Sequence, residues 1–426
     1  MRVVIVGGGP AGMAAANAAA RAGAEVVLVD GEPTLGGQYY RGTPQRVDPA
    51  VEHLAESAVW AMEGLRLHIR TGAADSPHRT GTVVDADAVV LATGAHDRVV
   101  PFPGWDLPGV YTAGAAQTLA KSQGIAVGAR VVVSGTGPFL LPVAESLVKV
   151  GARVLGVCEA NSGTGWLRHP RAANPGKMAE LAHYAGMLLK LRVPLWRKTA
   201  VVAAHGTDRV TAVTIARLNP DWTIRATRRI EVDAVCVGHG FTPRLELAVA
   251  AGCALKDGFV AVDERGATSV PGVYAAGEIT GIGGADLAAA EGEVAGAAAA
   301  GSESTKSLTG ARRFAAALAD AHPIKPGWQT WLTPETLVCR CEEVTYQALC
   351  AATDLDAAGV RTLKLTSRVG LGLCQGRMCG RNATELAATR LDQAFFDEAA
   401  LHRRPIATPI RLSELAETPL EPQEDP

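Results

Sequence analysis

The first thirty residues consist of two short apolar runs separated by a segment rich in alanine. Arg2–Val6 and Glu25–Val29 each contain four consecutive aliphatic residues, a pattern typical of strands buried on both faces. Residues 13–22 between them are mostly alanine, which favours a helix. The pattern predicts a strand, a helix and a second strand, the repeating unit of an α/β fold.

The turn between the first strand and the helix carries the glycine spacing of a dinucleotide-binding motif. Gly7 allows the tight turn, Gly9 lets a pyrophosphate approach the backbone, and Gly12 lets the helix pack closely on the strand. The amides at the N-terminus of the predicted helix, next to Pro10 and Ala11, would face the phosphates. The motif predicts a dinucleotide site, and a glycine-rich turn without a ligand is the alternative.

An acid completes the dinucleotide motif, and residues 32–38, 89–94 and 270–284 then favour FAD as the dinucleotide. Asp30, at the end of the second strand, places a carboxylate where ribose hydroxyls donate hydrogen bonds. Residues 89–94 predict another strand and turn, and residues 270–278 predict a strand that ends just before a glycine-rich helix start. The acid there would bind ribityl hydroxyls, and the helix amides would face the pyrimidine edge of a flavin. The predicted contacts are Gly7, Gly9, Pro10, Ala11, Gly12, Asp30, Gly37, Gln38, Thr93, Gly94, Gly277 and Glu278.

A similar pattern recurs in the middle of the chain. Residues 130–150 predict a strand, a turn with Gly135 and Gly137, and a helix. Leu140 replaces the third glycine, and its side chain would crowd the helix packing or a ligand. Glu159 after the next strand would favour NAD over NADP, because a carboxylate repels a 2′-phosphate. This module either binds NAD through Gly135 and Gly137 or is an empty remnant of a Rossmann-type unit.

Composition and charge exclude several classes of protein. The chain has 426 residues, of which 48% are hydrophobic and 20% charged, enough for about two to four domains with cores of their own. Its 41 basic and 43 acidic side chains give a net charge of −2, which does not favour nucleic acid as a partner. No apolar stretch reaches the about 18 residues of a membrane helix, and glycines interrupt the run that would make a signal peptide. We therefore expect a cytoplasmic protein without a transmembrane segment.

Five of the eight cysteines lie between positions 339 and 379. Cys339 and Cys341 form a Cys-x-Cys pair that would place two thiolates on one side of an extended segment, and Cys374 and Cys379 lie in a loop that contains glycine. Four thiolates hold a [2Fe–2S] cluster, while zinc, a lone iron or reduced structural thiols are the alternatives. Cys350 falls in a predicted helix and is expected to pack. No Cys-x-x-Cys motif occurs, which argues against a disulfide reductase.

Charged residues near these cysteines suit an anionic cluster. Arg340, Arg368 and Arg377 are close to them in sequence, and nearby positive charge favours the reduced form of a cluster. Asn382 followed by Glu385 resembles a capping box. That box predicts a helix whose positive end points back at the cluster.

These motifs resemble one family over nearly the whole chain. The chain is similar to the α subunits of opine oxidases and of D-hydroxyproline and proline dehydrogenases, and to the corresponding subunit of hydrogen cyanide synthase. It resembles the α subunit of heterotetrameric sarcosine oxidase more distantly. The segments that carry the resemblance are Leu-Gly-Gly-Gln at 35–38, Pro-Phe-Pro-Gly-Trp-Asp-Leu-Pro-Gly-Val at 101–110, Gly-Thr-Gly-Pro at 135–138 with Leu-Pro-Val-Ala at 141–144, Gly-His-Gly-Phe-Thr-Pro at 238–243, Gly-Glu-Ile-Thr-Gly-Ile-Gly-Gly at 277–284, Cys-Arg-Cys-Glu-Glu-Val-Thr at 339–345 and Gly-Leu-Cys-Gln-Gly-Arg-Met-Cys at 372–379.

The resemblance implies an α/β, two-dinucleotide-binding-domain flavoprotein fold with a small C-terminal [2Fe–2S] domain. In this fold a Rossmann-like module is inserted into an FAD-type domain. We expect an FAD-type dinucleotide-binding domain at 1–115 and 238–305, a Rossmann-like NAD-type domain at 125–235, a linker at 306–332, a BFD-like [2Fe–2S] domain at 333–398 and an extended tail at 399–426.

The resemblance also implies a function within a hetero-oligomer. A β flavoprotein subunit would oxidise the CH–NH bond of an opine, of D-hydroxyproline or proline, or of a glycine-type substrate, and some such complexes contain a small ferredoxin-like γ subunit. The chain would be the electron-transferring α subunit, relaying electrons through a flavin and a [2Fe–2S] cluster on Cys339, Cys341, Cys374 and Cys379. NAD or another adenine nucleotide is the alternative occupant of the first site. A stand-alone NAD(P)H-dependent reductase and a nucleotide-bound scaffold subunit are the competing hypotheses.

Overall fold

The chain divides into two compact units, each built from separate stretches of sequence. The computed structural model describes residues 1–172, 175–355, 359–392, 398–404 and 406–416. The first unit comprises residues 1–95, 243–312 and 402–426, of which the described part ends at 416, and the second comprises residues 96–242 and 313–401. This division is coarser than the five segments that we expect from the sequence.

Short strands alternate with helices along the described residues. The strands are β1 (Arg2–Val6), β2 (Glu25–Val29), β3 (Val51–Leu54), β4 (Ser57–Glu63), β5 (Arg66–Thr71), β6 (Thr80–Asp85), β7 (Ala88–Leu91), β8 (Ala95–Asp97), β9 (Val110–Thr112), β10 (Arg130–Gly135), β11 (Arg153–Glu159), β12 (Leu195–Arg197), β13 (Thr199–His205), β14 (Ala212–Leu218), β15 (Ile224–Glu231), β16 (Ala234–Gly238), β17 (Phe241–Pro243), β18 (Leu255–Lys256), β19 (Phe259–Val260), β20 (Val273–Ala275), β21 (Leu337–Cys339) and β22 (Val344–Thr345). The α-helices are α1 (Pro10–Arg21), α2 (Ala113–Gln123), α3 (Leu140–Lys149), α4 (Pro175–Lys190), α5 (Glu246–Ala250), α6 (Ala285–Ala299), α7 (Thr309–Ala321), α8 (Tyr346–Asp354), α9 (Val360–Ser367), α10 (Gly380–Leu391) and α11 (Leu412–Ala416). Short 3-10 helices lie at Thr164–Arg168, Pro170–Ala172, Pro326–Trp331 and Glu398–Leu401.

A five-stranded parallel sheet in the order β20-β7-β1-β2-β3 organises the first unit. Helices α1 and α6 pack against each other backbone to backbone. A Cβ on Gly292 would lie 2.0 Å from the carbonyl oxygen of Ala11, and one on Gly296 would lie 2.2 Å from that of Ala15. Only glycine permits this approach, so the small residues of both helices are a packing requirement. The predicted first two strands and the helix between them are confirmed.

The C-terminal tail lies on the antiparallel sheet β4-β5-β6 of the first unit. The amide of Ala407 donates to the carbonyl of Trp60, and the Arg79 guanidinium pairs with the Glu414 carboxylate at 2.6 Å. The described part of the tail contains α11 and a 3-10 helix, whereas we expect an extended segment. Buried ion pairing at Glu414 fixes this short helical turn, which the proline-rich sequence does not indicate. Residues 417–426 lie outside the described residues.

A second five-stranded parallel sheet, in the order β12-β11-β10-β16-β9, organises the second unit. An antiparallel sheet, β13-β14-β15, accompanies it. The described part of residues 333–392 shares a hydrophobic core with these strands, because Trp105, Trp222 and Trp328 are buried together with Val338 and Leu386. The segment that carries the four cysteines is thus built onto this core. No helix among the described residues is long and apolar enough to span a membrane.

Candidate nucleotide and metal sites

The first glycine turn has the shape that the sequence motif predicts. Gly7 has a positive φ of 110°, and a Cβ there would lie 2.3 Å from the carbonyl oxygen of Ala92. A Cβ on Gly12 would lie 1.7 Å from the carbonyl oxygen of Gly7, so both positions require glycine. Gly9 caps α1, which begins at Pro10, and nothing lies within 4 Å of where its Cβ would be. The turn therefore leaves open space directly in front of a helix N-terminus, as a pyrophosphate needs.

Asp30 supplies a buried acceptor beside this space. The residue follows β2 and is only 9% exposed, and its Oδ2 accepts no hydrogen bond from any described residue. Burial raises the pKa of this carboxyl. A Cβ on Gly8 would lie 2.2 Å from Oδ2, so glycine at position 8 keeps the acid against the turn. An unpaired buried acceptor is costly unless a ligand donates to it, and a ribose hydroxyl fits that requirement.

The other predicted contacts of the first site differ in their distance from the turn and in their exposure. A Cβ on Gly37 would lie 3.0 Å from the Cα of Gly9, so this loop covers the turn, while Gln38 is exposed. The Thr93 hydroxyl donates to the carbonyl of Arg244 at 2.7 Å and so holds the backbone. Gly94 has a positive φ of 70° and open space around its Cβ position. The open space at Gly94 makes it the better candidate of the two for contact with a ligand.

The carboxylate of Glu278 accepts hydrogen bonds from backbone amides that we expect to face a flavin. Its Oε1 accepts hydrogen bonds from the amides of Gly283, at 3.2 Å, and of Gly284, at 2.8 Å, immediately before α6. Burial raises the pKa of this carboxyl. Since Glu is one methylene longer than Asp, it reaches the helix end. The carboxylate and the helix amides, predicted as separate ligand contacts, therefore satisfy each other.

Glu291 is a partly buried acid that the sequence reasoning missed. Its Oε2 accepts from the amide of Gly277 at 3.1 Å and from the hydroxyl of Thr280 at 2.9 Å, and Arg312 lies 3.6 Å from Oε1. Burial raises its pKa. A glutamate within an alanine-rich helix, directly before Gly292, was the available signal. Its contacts make it the residue that fixes the loop after Gly277.

The second glycine turn differs from the first. Gly135 again requires glycine, because a Cβ would lie 1.6 Å from the carbonyl oxygen of Gly238. Gly137 has a positive φ of 98°, and its amide donates to the carboxylate of Glu159 at 2.8 Å. The acid that we expect to bind a ribose is thus bound to the turn itself. Leu140, at the third glycine position, is 1% exposed.

The four predicted cysteine ligands line one cavity of about 180 Å³, together with Arg340 and Met378. Cys379 hydrogen-bonds with Cys339 and with Cys374, and Cys374 also contacts Cys341. Cys339 and Cys379 are buried, and Cys341 is exposed. The sulfurs of two sequence-distant pairs therefore converge in one place, while Cys350 on α8 is not part of the cavity lining.

Hydrogen bonds lower the pKa of two of these thiols. The Cys379 thiol, followed by backbone amides that include that of Met378, lowers the pKa of Cys374 to about 4. The Cys379 thiol and the amide of Gly370 lower the pKa of Cys339 to about 6. The same contacts raise the pKa of Cys379, which acts as the donor. The cavity thus stabilises thiolate, the form that binds metals, at Cys339 and Cys374, while burial raises the pKa of Cys341.

The arrangement differs from that of a mononuclear metal site. Among the residues that the structure describes, no group of three or more His, Cys, Asp or Glu side chains is placed to hold one metal ion. A [2Fe–2S] cluster has a different requirement, since four cysteines are shared between two irons. The four cysteines that line the cavity match the number of sulfur ligands that such a cluster needs, whereas a tetrahedral zinc site would need all four around one ion.

Positive charge near the cavity is partly committed to other groups. Arg340 lines the cavity, and its guanidinium stacks 5.2 Å from the centre of the Trp105 ring. Arg368 pairs with Glu342 at 2.6 Å. The guanidinium of Arg377 donates to the carbonyl of Cys374 at 3.5 Å, and the carbonyl of Arg377 lies 2.8 Å from Nε2 of His96, which holds the loop between Cys374 and Cys379. Arg340 is therefore the cation that adjoins the sulfurs most directly.

The predicted helix after Cys379 is present, but it begins before Asn382, the expected cap, and by a different mechanism. Helix α10 starts at Gly380, with Cys379 as its N-cap and no side-chain cap. The predicted capping box is wrong: Asn382 lies inside the helix and donates to the carbonyl of Val99, and Glu385 pairs with Arg98 at 2.6 Å. Both side chains serve contacts that are distant in sequence. The positive end of the helix nevertheless adjoins a cysteine of the cavity.

Comparison with known proteins identifies relatives along the whole chain. The profile of the pyridine nucleotide-disulphide oxidoreductase family matches residues 1–292. The A-subunit of opine oxidase from Rhizobium meliloti is 32% identical, with 98% of this chain and 87% of the relative covered. Hydrogen cyanide synthase subunit HcnB of Pseudomonas aeruginosa is 33% identical over 89% of this chain and 91% of its own. The alpha subunit of sarcosine oxidase from Corynebacterium sp. is 30% identical, but the match covers 58% of this chain and 27% of that protein.

Solved structures share the fold. L-proline dehydrogenase from P. horikoshii superposes with a TM-score of 0.70 at 19% identity, covering 98% of this chain and 79% of that one. Thioredoxin reductase from T. acidophilum superposes with a TM-score of 0.52 at 22% identity over 70% of this chain and 97% of its own. At these identities the likeness concerns the backbone arrangement alone.

Proposed function

This chain belongs to the pyridine nucleotide-disulphide oxidoreductase family and, within it, to the group that contains the opine oxidase A-subunit and hydrogen cyanide synthase subunit HcnB, and we propose that it is the electron-transferring α subunit of a heteromeric amine or imino-acid dehydrogenase. It is a flavin-dependent oxidoreductase by family. The substrate would be an opine, D-hydroxyproline, proline or a glycine-type amine, oxidised at its CH–NH bond on a partner β flavoprotein.

The cysteine cavity is the observation that carries this proposal. Cys339, Cys341, Cys374 and Cys379 bring four sulfurs to one cavity, and their donor chemistry suits a [2Fe–2S] cluster. Arg340 and the N-terminus of α10 add positive charge beside an anionic group. When bound, the cluster supplies a carrier of single electrons. The surrounding residues exclude bulk water from Cys339 and Cys379 and leave Cys341 at the surface, where a redox partner has access.

The first glycine turn supports a nucleotide cofactor in the same chain. Gly9 and the start of α1 would hold a pyrophosphate, and Asp30 would accept hydrogen bonds from a ribose. FAD is the proposed occupant, with Gly94 and the loop after Gly277 on the flavin side. When bound, FAD supplies a carrier of two electrons. The chain's own part is to bind the nucleotide, to orient it through the loop fixed by Glu291, and to keep the site dry.

The names of the relatives support a hetero-oligomer, since the opine oxidase relative and HcnB are both named as subunits. We propose a β flavoprotein as the partner that oxidises the amine, and a ferredoxin-like γ subunit as a further component in some assemblies. The segment 333–398 would form the cluster domain of this subunit. A cytoplasmic location follows from the proposal, because reduced cofactors and free thiols belong to that compartment.

Affinity purification of the tagged full chain from its native cells tests this function. We expect a second flavoprotein to copurify, and the complex to reduce an artificial electron acceptor when an N-substituted amino acid is added. Cys374→Ser should abolish amine-dependent bleaching of the cluster absorbance, while Cys350→Ser should leave it intact. A chain that purifies without a partner and reduces the acceptor with NADH alone would instead be the stand-alone reductase.

A further inference from the structure

The second glycine module offers a direct test of nucleotide binding, because the first module provides an internal reference. A dinucleotide in such a module places its pyrophosphate on the helix N-terminus after the glycine turn, and its ribose on the acid that ends the next strand. In the first module these groups are the start of α1 and Asp30. In the second they are the start of α3 and Glu159.

The helix of the second module starts too late to receive a pyrophosphate in the usual way. Helix α1 begins at Pro10, immediately after Gly9, whereas α3 begins at Leu140, three positions after Gly137. The extra residues form a turn, in which the amide of Leu140 donates to the carbonyl of Gly137 and that of Leu141 to the carbonyl of Pro138. The amide of Leu140, whose counterpart in the first module is Gly12, is therefore already bonded within the chain.

The acid of the second module is satisfied by its own chain. Oε1 of Glu159 accepts from the hydroxyl of Thr136 at 3.0 Å and from the amide of Asn161 at 2.9 Å. Oε2 accepts from the amide of Gly137 at 2.8 Å. The equivalent oxygen of Asp30 in the first module has no such partner among the described residues. The two acids occupy equivalent positions, but only the first one has an oxygen to which no described residue donates.

A segment that follows α7 covers the same acid. Nδ1 of His322 lies 3.3 Å from Oε2 of Glu159, and the side-chain amide of Asn161 donates to the carbonyl of Pro323 at 3.1 Å. The indole of Trp166 donates to Nε2 of His322 at 3.1 Å, which fixes the ring. The segment thus stands at the carboxyl end of β11, where the ribose of a bound dinucleotide would lie.

Close packing holds this segment in place. A Cβ on Gly165 would lie 2.6 Å from the Cα of Ala321, so the two backbones are in direct contact. Asp320 pairs with Arg168 at 2.8 Å and with His169 at 2.9 Å. These contacts of Asp320 and Ala321 with residues 165–169 hold the segment after α7 against the second module.

We propose that the second module does not bind pyridine nucleotide, because Glu159, Asn161, His322 and Pro323 fill its ribose position and the displaced start of α3 removes its phosphate site. We call residues 320–323 the plug segment. The family is named for pyridine nucleotide, and this chain departs from it at that point. Reducing equivalents would then reach the chain from another reduced protein rather than from NADH or NADPH, independently of whether the cysteines hold a cluster.

Hydrogen–deuterium exchange on the full chain, with and without millimolar NADH or NADPH, tests the proposal. We expect peptides that cover residues 134–141 and 320–323 to exchange at the same rate in both conditions. If isothermal titration with NADH or NADPH detects saturable binding, exchange should locate that binding outside residues 134–141. Slower exchange at 134–141 on addition of either nucleotide would overturn the proposal, and peptides from residues 7–12 would separately reveal binding at the first module.

The plug itself is tested by the double variant Asn161→Ala/His322→Ala. We expect faster exchange at residues 136–139, since the contacts that cover the turn are removed. His183→Ala, a histidine on the exposed surface of α4 in the same unit, serves as the control and should leave that peptide unchanged. Unaltered exchange at 136–139 in the double variant would show that the segment does not cover the turn and would overturn the assignment of these residues.

Discussion

Gly372 stands so close to Cys341 that a Cβ on Gly372 would lie 2.3 Å from the Cβ of Cys341. This approach brings the loop that carries Cys374 and Cys379 against the strand and turn that carry Cys339 and Cys341. The shape of the cysteine cavity therefore depends on Gly372, although Gly372 is not itself a proposed metal ligand.

Gly372→Ala is expected to separate the two cysteine pairs while the chain stays folded. Overpacking of this kind costs about 1–3 kcal/mol, so we expect iron content to fall by about tenfold. Iron analysis and far-ultraviolet circular dichroism measure the two effects. Gly310→Ala is the matched control, because nothing lies within 4 Å of its Cβ position. Full iron content in Gly372→Ala would mean that the close approach does not matter.

Asp30→Ala is expected to weaken nucleotide retention at the first module. The variant removes the only group proposed to bind the ribose, and a hydrogen bond to a charged group contributes about 1.5–3 kcal/mol, so affinity should fall by about tenfold or more. Fluorescence titration of the deflavinated chain with FAD measures it. Asp85→Ala, an exposed surface acid paired with Arg66, should bind as the parent chain does. Equal affinity in both variants would exclude Asp30 from the site.

The apolar runs and glycine spacing were sufficient to predict the first module from sequence. Four aliphatic residues in a row specify β1 and β2, and Gly7 and Gly12 are fixed by local sterics that any such turn shares. Asp30 follows from its position alone. In the first module the predicted groups are neighbours because of the strand–turn–helix geometry itself. The structure therefore brings them together without any contact that is distant in sequence having to be predicted.

Side-chain pairing across distant segments could not be predicted. Glu278 reaches the amides before α6, and Asn382 and Glu385 turn to Val99 and Arg98 instead of capping their own helix. The contact of His322 with Glu159 joins positions more than a hundred residues apart. Such partners are selected by tertiary packing, for which a single sequence carries no periodic signal.

Glu278→Asp is expected to increase flavin retention. The shorter acid would no longer reach the amides of Gly283 and Gly284, which become available to a ligand, and the gain of one hydrogen bond corresponds to about tenfold in affinity. The ratio of flavin to protein after reconstitution measures it. Glu293→Asp, at a partly exposed position on α6, is the control. Lower flavin content in Glu278→Asp than in the parent would show that Glu278 supports the site rather than competing for it.

Glu414→Gln is expected to destabilise the chain in a pH-dependent manner. The side chains of Arg79 and Glu414 are each 6% exposed. The hydrogen bonds from Arg79 lower the pKa of Glu414 to about 2. A lowered pKa in the folded state stabilises the protein above the ordinary pKa of the carboxyl, and that stabilisation is lost as the pH falls through the lowered value.

Chemical unfolding of the Glu414→Gln variant and its parent at several pH values measures this contribution. The difference in unfolding free energy should be about 1–2 kcal/mol at neutral pH and should shrink between pH 4.5, the ordinary value, and about 2. Glu231→Gln, which removes an exposed ion pair, should change stability little at any pH. A constant difference across the pH range would contradict the assignment of this pair.

The content of iron and acid-labile sulfide in the anaerobically purified full chain, together with its electron paramagnetic resonance spectrum after dithionite, tests the central claim most directly. The account predicts about two irons and two sulfides per chain and a signal from one unpaired electron. Both should be lost in Cys374→Ser and Cys379→Ser and kept in Cys350→Ser. A wild-type chain without iron and sulfide, or with zinc in their place, would contradict it.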